Sequence, residues 1–160
     1  MSRRFPGRLF AGLIPVIVVF LPMPDLQGQD KKSDSVVKVT ATATKPDGDG
    51  KQTVTVTLAH DSGWHTYANP VGQDDLANAQ TMVTINAKTK PEDVKVEYPA
   101  GKLVKDKVVG DYNVYHDKVT IKAAVKRAKG DTSPLEVSVK FQACTEKQCL
   151  VPATVKLTVP

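Results

Sequence analysis

The sequence predicts an all-β protein, an antiparallel β-sandwich, on three observations. Valine dominates the apolar residues, threonine is abundant and leucine is scarce, and β-branched side chains favour strands over helices. Apolar and polar residues alternate in segment after segment, with turn-forming clusters between them, which is the signature of half-buried strands. No window carries a 3.6-residue period over three turns. Seven to nine short strands in about 130 residues describe an immunoglobulin-like arrangement of two packed sheets.

The chain has 160 residues, enough for one domain of ordinary size. Residues 1–28 read as a signal peptide. Arg3, Arg4 and Arg8 form a positive n-region, Leu9 to Leu21 is uncharged and apolar, and Leu26-Gln27-Gly28 offers a cleavage site. The apolar stretch is short for a spanning helix and contains Pro15. Residues 29–35 are expected to be a flexible polar lead-in, and residues 36–160 the folded domain.

Within that domain Val37, Val39 and Ala41 alternate with Lys38, Thr40 and Thr42. After the turn cluster Pro46-Asp47-Gly48-Asp49-Gly50, residues Val54, Val56 and Leu58 alternate with threonines. Further strands are expected at Met82–Ala87, Val94–Tyr98, Tyr112–Tyr115, Val119–Val125, Leu135–Ala143 and Cys149–Val159. Residues 73–80 read as a polar loop with at most one helical turn.

Composition excludes several functions. Loss of residues 1–28 removes three arginines and Asp25, taking the net charge from +5 to +3, spread as single lysines with no basic block or aromatic-basic interleaving. Nucleic acid is therefore not an expected partner. No phosphate-binding glycine motif is present, and two cysteines cannot build a four-thiolate zinc site. After signal cleavage the expectation is a monomer without membrane attachment, periplasmic or secreted, needing no metal or cofactor.

Cys144 and Cys149 bracket Thr145-Glu146-Lys147-Gln148. A four-residue hairpin loop places the two cysteines opposite each other, where cross-strand spacing overlaps disulfide geometry, and an oxidising compartment favours the bridge. A ring of about six residues gains only about 2 kcal/mol from loop entropy, so the spacing leans towards a bridge that opens and closes; a structural hairpin clip is the alternative. Leu135, Val137, Val139 and Phe141 share the core face, which puts Cys144 on the opposite phase, in reach of solvent. Cys149 shares the parity of Val151, Val155, Leu157 and Val159, so a bulge or bend is expected at Pro152.

Gly63-Trp64-His65-Thr66-Tyr67 concentrates the only tryptophan with a histidine and a tyrosine. Trp64 is expected to anchor the core. By alternation His65 and Tyr67 share a face, and a histidine beside a cysteine pair can stabilise a thiolate or move its proton. His60 and His116 have no partner at ligand spacing.

Phe141-Gln142-Ala143-Cys144-x4-Cys149-Leu150-Val151-Pro152 resembles the cysteine motif of the N-terminal periplasmic domain of DsbD. Gly63-Trp64-His65-x-Tyr67-x-Asn69-Pro70 is similar to that family's first motif, and Val109-Gly110 followed by Tyr115 to its middle segment. The resemblance spans about residues 36–159 in the same order. It implies an immunoglobulin-like sandwich whose redox-active cysteine pair relays electrons from a thioredoxin-like donor to periplasmic disulfide-containing proteins. It also implies that His65 and Tyr67 neighbour the cysteines and that the loop Lys102–Val109 caps them. The family's cap carries acidic residues and an aromatic, where this chain offers Asp106, Lys107 and Val108. With no residues after Pro160 to supply a donor domain, the donor is expected to be a separate polypeptide.

The leading expectation is thus an extracytoplasmic thiol–disulfide exchange module, with Cys149 as attacker and Cys144 as resolver. A secreted immunoglobulin-like binding module with a structural hairpin disulfide is the second reading. The third is a metal site using His65, Cys144 and Cys149 in the reduced state.

Overall fold

The computed structural model describes residues 31–160; the expected signal segment 1–28 lies outside the described residues. In chain order the strands are β1 (Val37–Ala43), β2 (Lys51–His60), β3 (His65–Tyr67), β4 (Met82–Ala87), β5 (Asp93–Glu97), β6 (Lys102–Val104), β7 (Tyr112–His116), β8 (Lys118–Lys126), β9 (Leu135–Phe141), β10 (Ala143–Cys144) and β11 (Ala153–Val159). They form three antiparallel sheets, ordered β1-β2-β8-β5, β11-β9-β4 and β10-β3-β7-β6.

The alternating segments form the first two sheets because one face of each is apolar. Val54, Val56 and Leu58 of β2 and Ile121, Ala123 and Val125 of β8 are buried. They share one core with Val83 and Ile85 of β4, Leu135, Val137, Val139 and Phe141 of β9, and Ala153 and Val159 of β11. Each valine, leucine, isoleucine or phenylalanine among them contributes roughly 1.5–3 kcal/mol by leaving water, and a one-residue slip in register would turn the whole set outward. The fold is the expected immunoglobulin-like antiparallel sandwich. Trp64 is half-buried and packs against this core from its edge.

The chain departs from the expected strands where they run past the sheets. Leu135–Ala143 was expected as one strand, but pairing with β4 and β11 ends at Phe141, and after Gln142 the chain pairs with β3 instead. The expected strand from Cys149 begins only at Ala153, beyond Pro152, which has no N–H for a ladder. Strands β3, β6 and β10 are two or three residues long, too short for alternation to reveal. The first three residues of the expected cap are the edge strand β6, paired to β7. Residues 73–80 contain a short 3-10 turn, Asp74–Ala79, started by the Gln73 side chain, which accepts from the Asp75 N–H at 2.9 Å.

Part of the segment expected to be flexible is docked. Ser33 is fully buried at the start of a 3-10 turn, Ser33–Ser35. Its hydroxyl donates to Val151 O at 2.9 Å and accepts from the Ala143 N–H at 2.8 Å. Its own N–H also donates to Val151 O, and the Val151 N–H donates to Lys31 O. A polar lead-in does not announce such a role, because the partners lie more than a hundred residues away.

Strand β2 runs the length of the sandwich, about 30 Å for ten residues, so His60 marks one pole and Lys51 the other. The Lys51 pole is closed by Arg127, 1% exposed. Its guanidinium donates to Gln52 Oε1 at 3.0 Å, Asp131 Oδ1 at 3.0 Å and Ser133 Oγ at 3.0 Å. Gln52 in turn donates to Thr44 O and Pro160 O. Gly50 has φ +79° there, and a side chain on it would collide with Arg127 O, so only glycine fits this turn.

Arg127→Ala strands the buried Gln52 carbonyl and empties the pole, and is expected to cost about 3 kcal/mol, lowering Tm by roughly 10 °C in a thermal melt. Ser33→Ala orphans the buried Ala143 N–H and is expected to cost about 1–3 kcal/mol. Hydrogen exchange at the Ala143 amide should accelerate; unchanged protection there would show that Ser33 is not what holds the hairpin.

Candidate functional site

At the His60 pole the sheet β10-β3-β7-β6 carries the cysteine hairpin. After Gln142 the chain adds β10 to the edge of β3, with Ala143 opposite Thr66 and Cys144 opposite His65. A tight loop follows, in which the Thr145 N–H donates to Gln148 O at 2.8 Å and Thr145 Oγ1 accepts from the Lys147 and Gln148 N–H groups. Cys149 thereby returns opposite Cys144 in an antiparallel bridge, and the two are joined as a disulfide. The Leu150 N–H to Ala143 O bond and the Gln142 side chain on Leu150 O close the arms below.

The two sulfurs live in different surroundings. Cys144 is 2% exposed, whereas Cys149 is exposed and is followed by Val151, itself 41% exposed. Alternation along β9 had put Cys144 in reach of solvent. Alternation holds through Ala143, which stays in the core with Phe141, and Cys144 faces the other way; it is buried all the same, because β10 lies against β3 with the Tyr67 hydroxyl beside its sulfur, and the accessible sulfur is that of Cys149.

Tyr67 sits at the centre of the site. Its hydroxyl lies 3.8 Å from Cys144 Sγ and 3.9 Å from Cys149 Sγ; with the sulfurs bonded to each other, the hydroxyl is the donor. Burial, with Tyr112 adding, pushes the Tyr67 phenol above its ordinary value, so it keeps its proton at neutral pH. Tyr112 packs edge-on against Tyr67 at 5.7 Å between ring centroids, and His65 does so from the other side at 6.4 Å. The Tyr67 carbonyl accepts from the Thr81 hydroxyl at 2.7 Å and the Thr81 N–H at 2.9 Å. Tyr115 steadies the following turn, its hydroxyl donating to Pro99 O at 2.9 Å and accepting from the Asn69 N–H at 3.2 Å.

His65 is half-buried between Cys144 on β10 and His116 on β7, its direct partners in the two ladders. Burial pushes its imidazole below the usual histidine value, the neighbouring Glu146 carboxylate in the hairpin loop opposes that, and His116 adds to it. His116 Nδ1 lies 2.5 Å from Asp117 Oδ2. His60, at the end of β2, bonds Thr66 Oγ1 at 3.0 Å and Asp117 O at 3.1 Å through its two ring nitrogens; burial holds it, too, below the usual value.

The loop expected to act as a cap is shaped by its own turn. Asp106 Oδ1 accepts from the Val108 and Val109 N–H groups at 2.7 and 3.0 Å, and these bonds hold its carboxyl below the ordinary range. The turn they form points Val108 into solvent, 92% exposed, with Lys107 exposed beside it. Asp106 faces Tyr112, where its charge adds to burial in raising the phenol. The aromatic beside the sulfurs is Tyr67, with Tyr112 packed against it. Tyr112 escaped sequence reasoning because it had been read only as a strand residue; the ladder pairing of Tyr67 with Val114, two residues on, is the signal that places it on the same face. Among the described residues no group of three or more His, Cys, Asp or Glu side chains is arranged to hold a metal ion.

Solved structures with this fold include the N-terminal periplasmic domain of ScsB from Proteus mirabilis, at 22% identity and a TM-score of 0.55. The match covers 86% of this chain and 49% of that one, so this chain spans about half of that neighbour's length. The reduced N-terminal domain of DsbD from Neisseria meningitidis aligns at 15% identity and a TM-score of 0.49, covering 78% of this chain and 85% of that one. No curated protein sequence matches. The family of the N-terminal region of thiol:disulfide interchange protein DsbD matches residues 33–160, a span that holds both cysteines, His65, Tyr67 and Tyr112, and the chain belongs to that family.

Proposed function

We propose that this domain is an extracytoplasmic thiol–disulfide exchange module that relays reducing equivalents through the Cys144/Cys149 pair. The observation that carries the reading is the asymmetry of the disulfide: one exposed sulfur, one buried, and a tyrosine hydroxyl between them. Exchange proceeds by in-line attack of a thiolate on a disulfide sulfur, so the accessible Cys149 is the atom that meets a partner.

In the reduced state the Cys149 thiolate attacks one sulfur of a partner's disulfide. A Cys149–partner bond forms, and the partner's other sulfur leaves with the electron pair. Cys144 then attacks Cys149 Sγ, re-forming the internal disulfide and releasing the partner as a dithiol. Two electrons have passed outward. A thioredoxin-like dithiol donor reverses the sequence, attacking Cys149 and freeing Cys144. Tyr67, protonated at neutral pH, supplies a hydrogen bond to whichever sulfur carries the charge, and the sulfurs themselves are the only redox group the cycle needs. The acceptors are disulfide-containing proteins of the periplasm, and the domain acts as a monomer there. A solved complex of the DsbD and PilB N-terminal domains from Neisseria meningitidis is an example of a pairing of this kind.

The potential of the pair tests this. Equilibration in glutathione or dithiothreitol buffers is expected to give a value between about −180 and −270 mV, the range of exchange proteins; a value below about −300 mV marks a structural bridge and hands the domain to the binding-module reading. Cys144→Ser should accumulate a mixed disulfide through Cys149 while keeping the wild-type far-UV spectrum, and Cys149→Ser should form none. A Cys144→Ser protein that fails to fold would show the bridge to be a staple.

A further inference from the structure

The two half-cycles above make unequal demands on protons. Cys149 is exposed, and water or buffer can take its proton. Cys144 is buried, and burial in apolar surroundings disfavours a thiolate, so its attack on the mixed disulfide needs a base inside the protein. Tyr67 touches both sulfurs but holds its own proton. The register offers one other group: His65 is the direct cross-strand neighbour of Cys144, and His116 is the direct neighbour of His65 on the far side. Directly opposed residues have Cβ atoms about 4.5–5.5 Å apart on the same face. Cys144, His65 and His116 therefore form a row across three strands that ends at Asp117 on the surface, where His116 Nδ1 meets Asp117 Oδ2.

We propose that His65 is the base that takes the Cys144 proton when Cys144 resolves the mixed disulfide, and that the His116–Asp117 pair tunes it and opens its way to solvent. The proposal rests on the exchange reading above. In the step, the Cys144 S–H bond breaks and its proton goes to a ring nitrogen of His65. The Cys144 sulfur electron pair forms the bond to Cys149 Sγ, and the partner's sulfur leaves as a thiolate. The histidinium then passes its proton outward along the row. A base must be neutral to act, and burial favours the neutral imidazole at pH 7. The charged or titratable groups around His65 are Cys144 from β10, Glu146 from the hairpin loop, His116 from β7, His60 from the end of β2, Tyr67 on its own strand, and Asp117 beyond His116. Glu146 strengthens the base and His116 weakens it.

The test is stopped-flow oxidation of the reduced protein by dithiobis(nitrobenzoate). The first nitrothiobenzoate leaves in a bimolecular phase as Cys149 attacks, and the second in a reagent-independent phase as Cys144 resolves. In the wild type the second phase should rise with pH and level off above an inflection below the ordinary histidine value of about 6.5. His65→Gln should slow the second phase relative to the first by about 10²-fold at pH 7 and replace the plateau by a rise continuing towards thiol pKa values. His116→Gln, which keeps His65, should move the inflection to higher pH, and Glu146→Gln should move it lower. Two normal phases with an unaltered pH profile in His65→Gln would overturn the assignment of the base and leave the exchange reading standing. A wild-type pair that glutathione buffers cannot reduce would overturn the exchange reading, and the base with it.

Discussion

Between Phe141 and Ala143 the chain stops pairing with β4 and β11 and starts pairing with β3. That change of partner, across the single residue Gln142, is the constraint on which the cysteine end depends. Had β9 continued straight, Cys144 would have stayed on a ladder beside β11. The switch instead lays Ala143 and Cys144 along β3, which brings Cys144 opposite His65 and under the hydroxyl of Tyr67. Ser33 holds the switch in place from below: its buried hydroxyl ties the Ala143 N–H on one arm of the hairpin to Val151 O on the other. A buried backbone donor without such a partner costs as much as a lost hydrogen bond, so the segment before β1 belongs to the site's framework.

The switch also explains how two cysteines five residues apart acquire different chemistry. A regular hairpin at the surface would expose both. Here Cys144 is sealed against the sheet and Cys149 is exposed, so in the proposed exchange Cys149 is the sulfur that meets a partner. Tyr67, with Tyr112 packed edge-on against it, sets an aromatic ring with one polar tip beside the pair. Such a tip can hydrogen-bond a thiolate on the buried side of the pair.

Most of the sandwich was legible in the sequence because period-2 patterning is strong wherever a strand is long and one of its faces is buried. β2, β8 and β9 each show it over seven residues or more, and Leu135, Val137, Val139 and Phe141 face the core as read. The cysteine pairing was legible too, since a four-residue loop brings its flanking positions together. Parity held across Gln142, where Ala143 keeps to the core face, but it could not show that the other face is covered at Cys144, because the covering strand β3 and Tyr67 are far away in sequence. Ser33 was invisible for a different reason: its partners are 110 and 118 residues away, and a serine in a polar run reads as solvated. The loop 105–110 followed its own turn chemistry, with Asp106 collecting the N–H groups of Val108 and Val109. Its position in the sequence therefore said little about what it covers.

The proposed relay must open its disulfide without unfolding, and the distribution of forces in the domain permits this. The core joins β2 and β8 to β4, β9 and β11 and holds no sulfur; Arg127 closes it at the pole away from the cysteines. Both arms of the hairpin are fixed independently of the S–S bond, one by β3 and Ser33, the other by Ser33 and the β9–β11 ladder. The ring the bond closes is so short that it removes only about 2 kcal/mol of chain entropy from the unfolded state. Reduction therefore forfeits little stability, and the arms that held the sulfurs opposite each other remain to bring them back. A bridge between distant strands would have stabilised the domain more, but each reduction would then have cost more of the fold; the five-residue separation of Cys144 and Cys149 suits a bond that cycles.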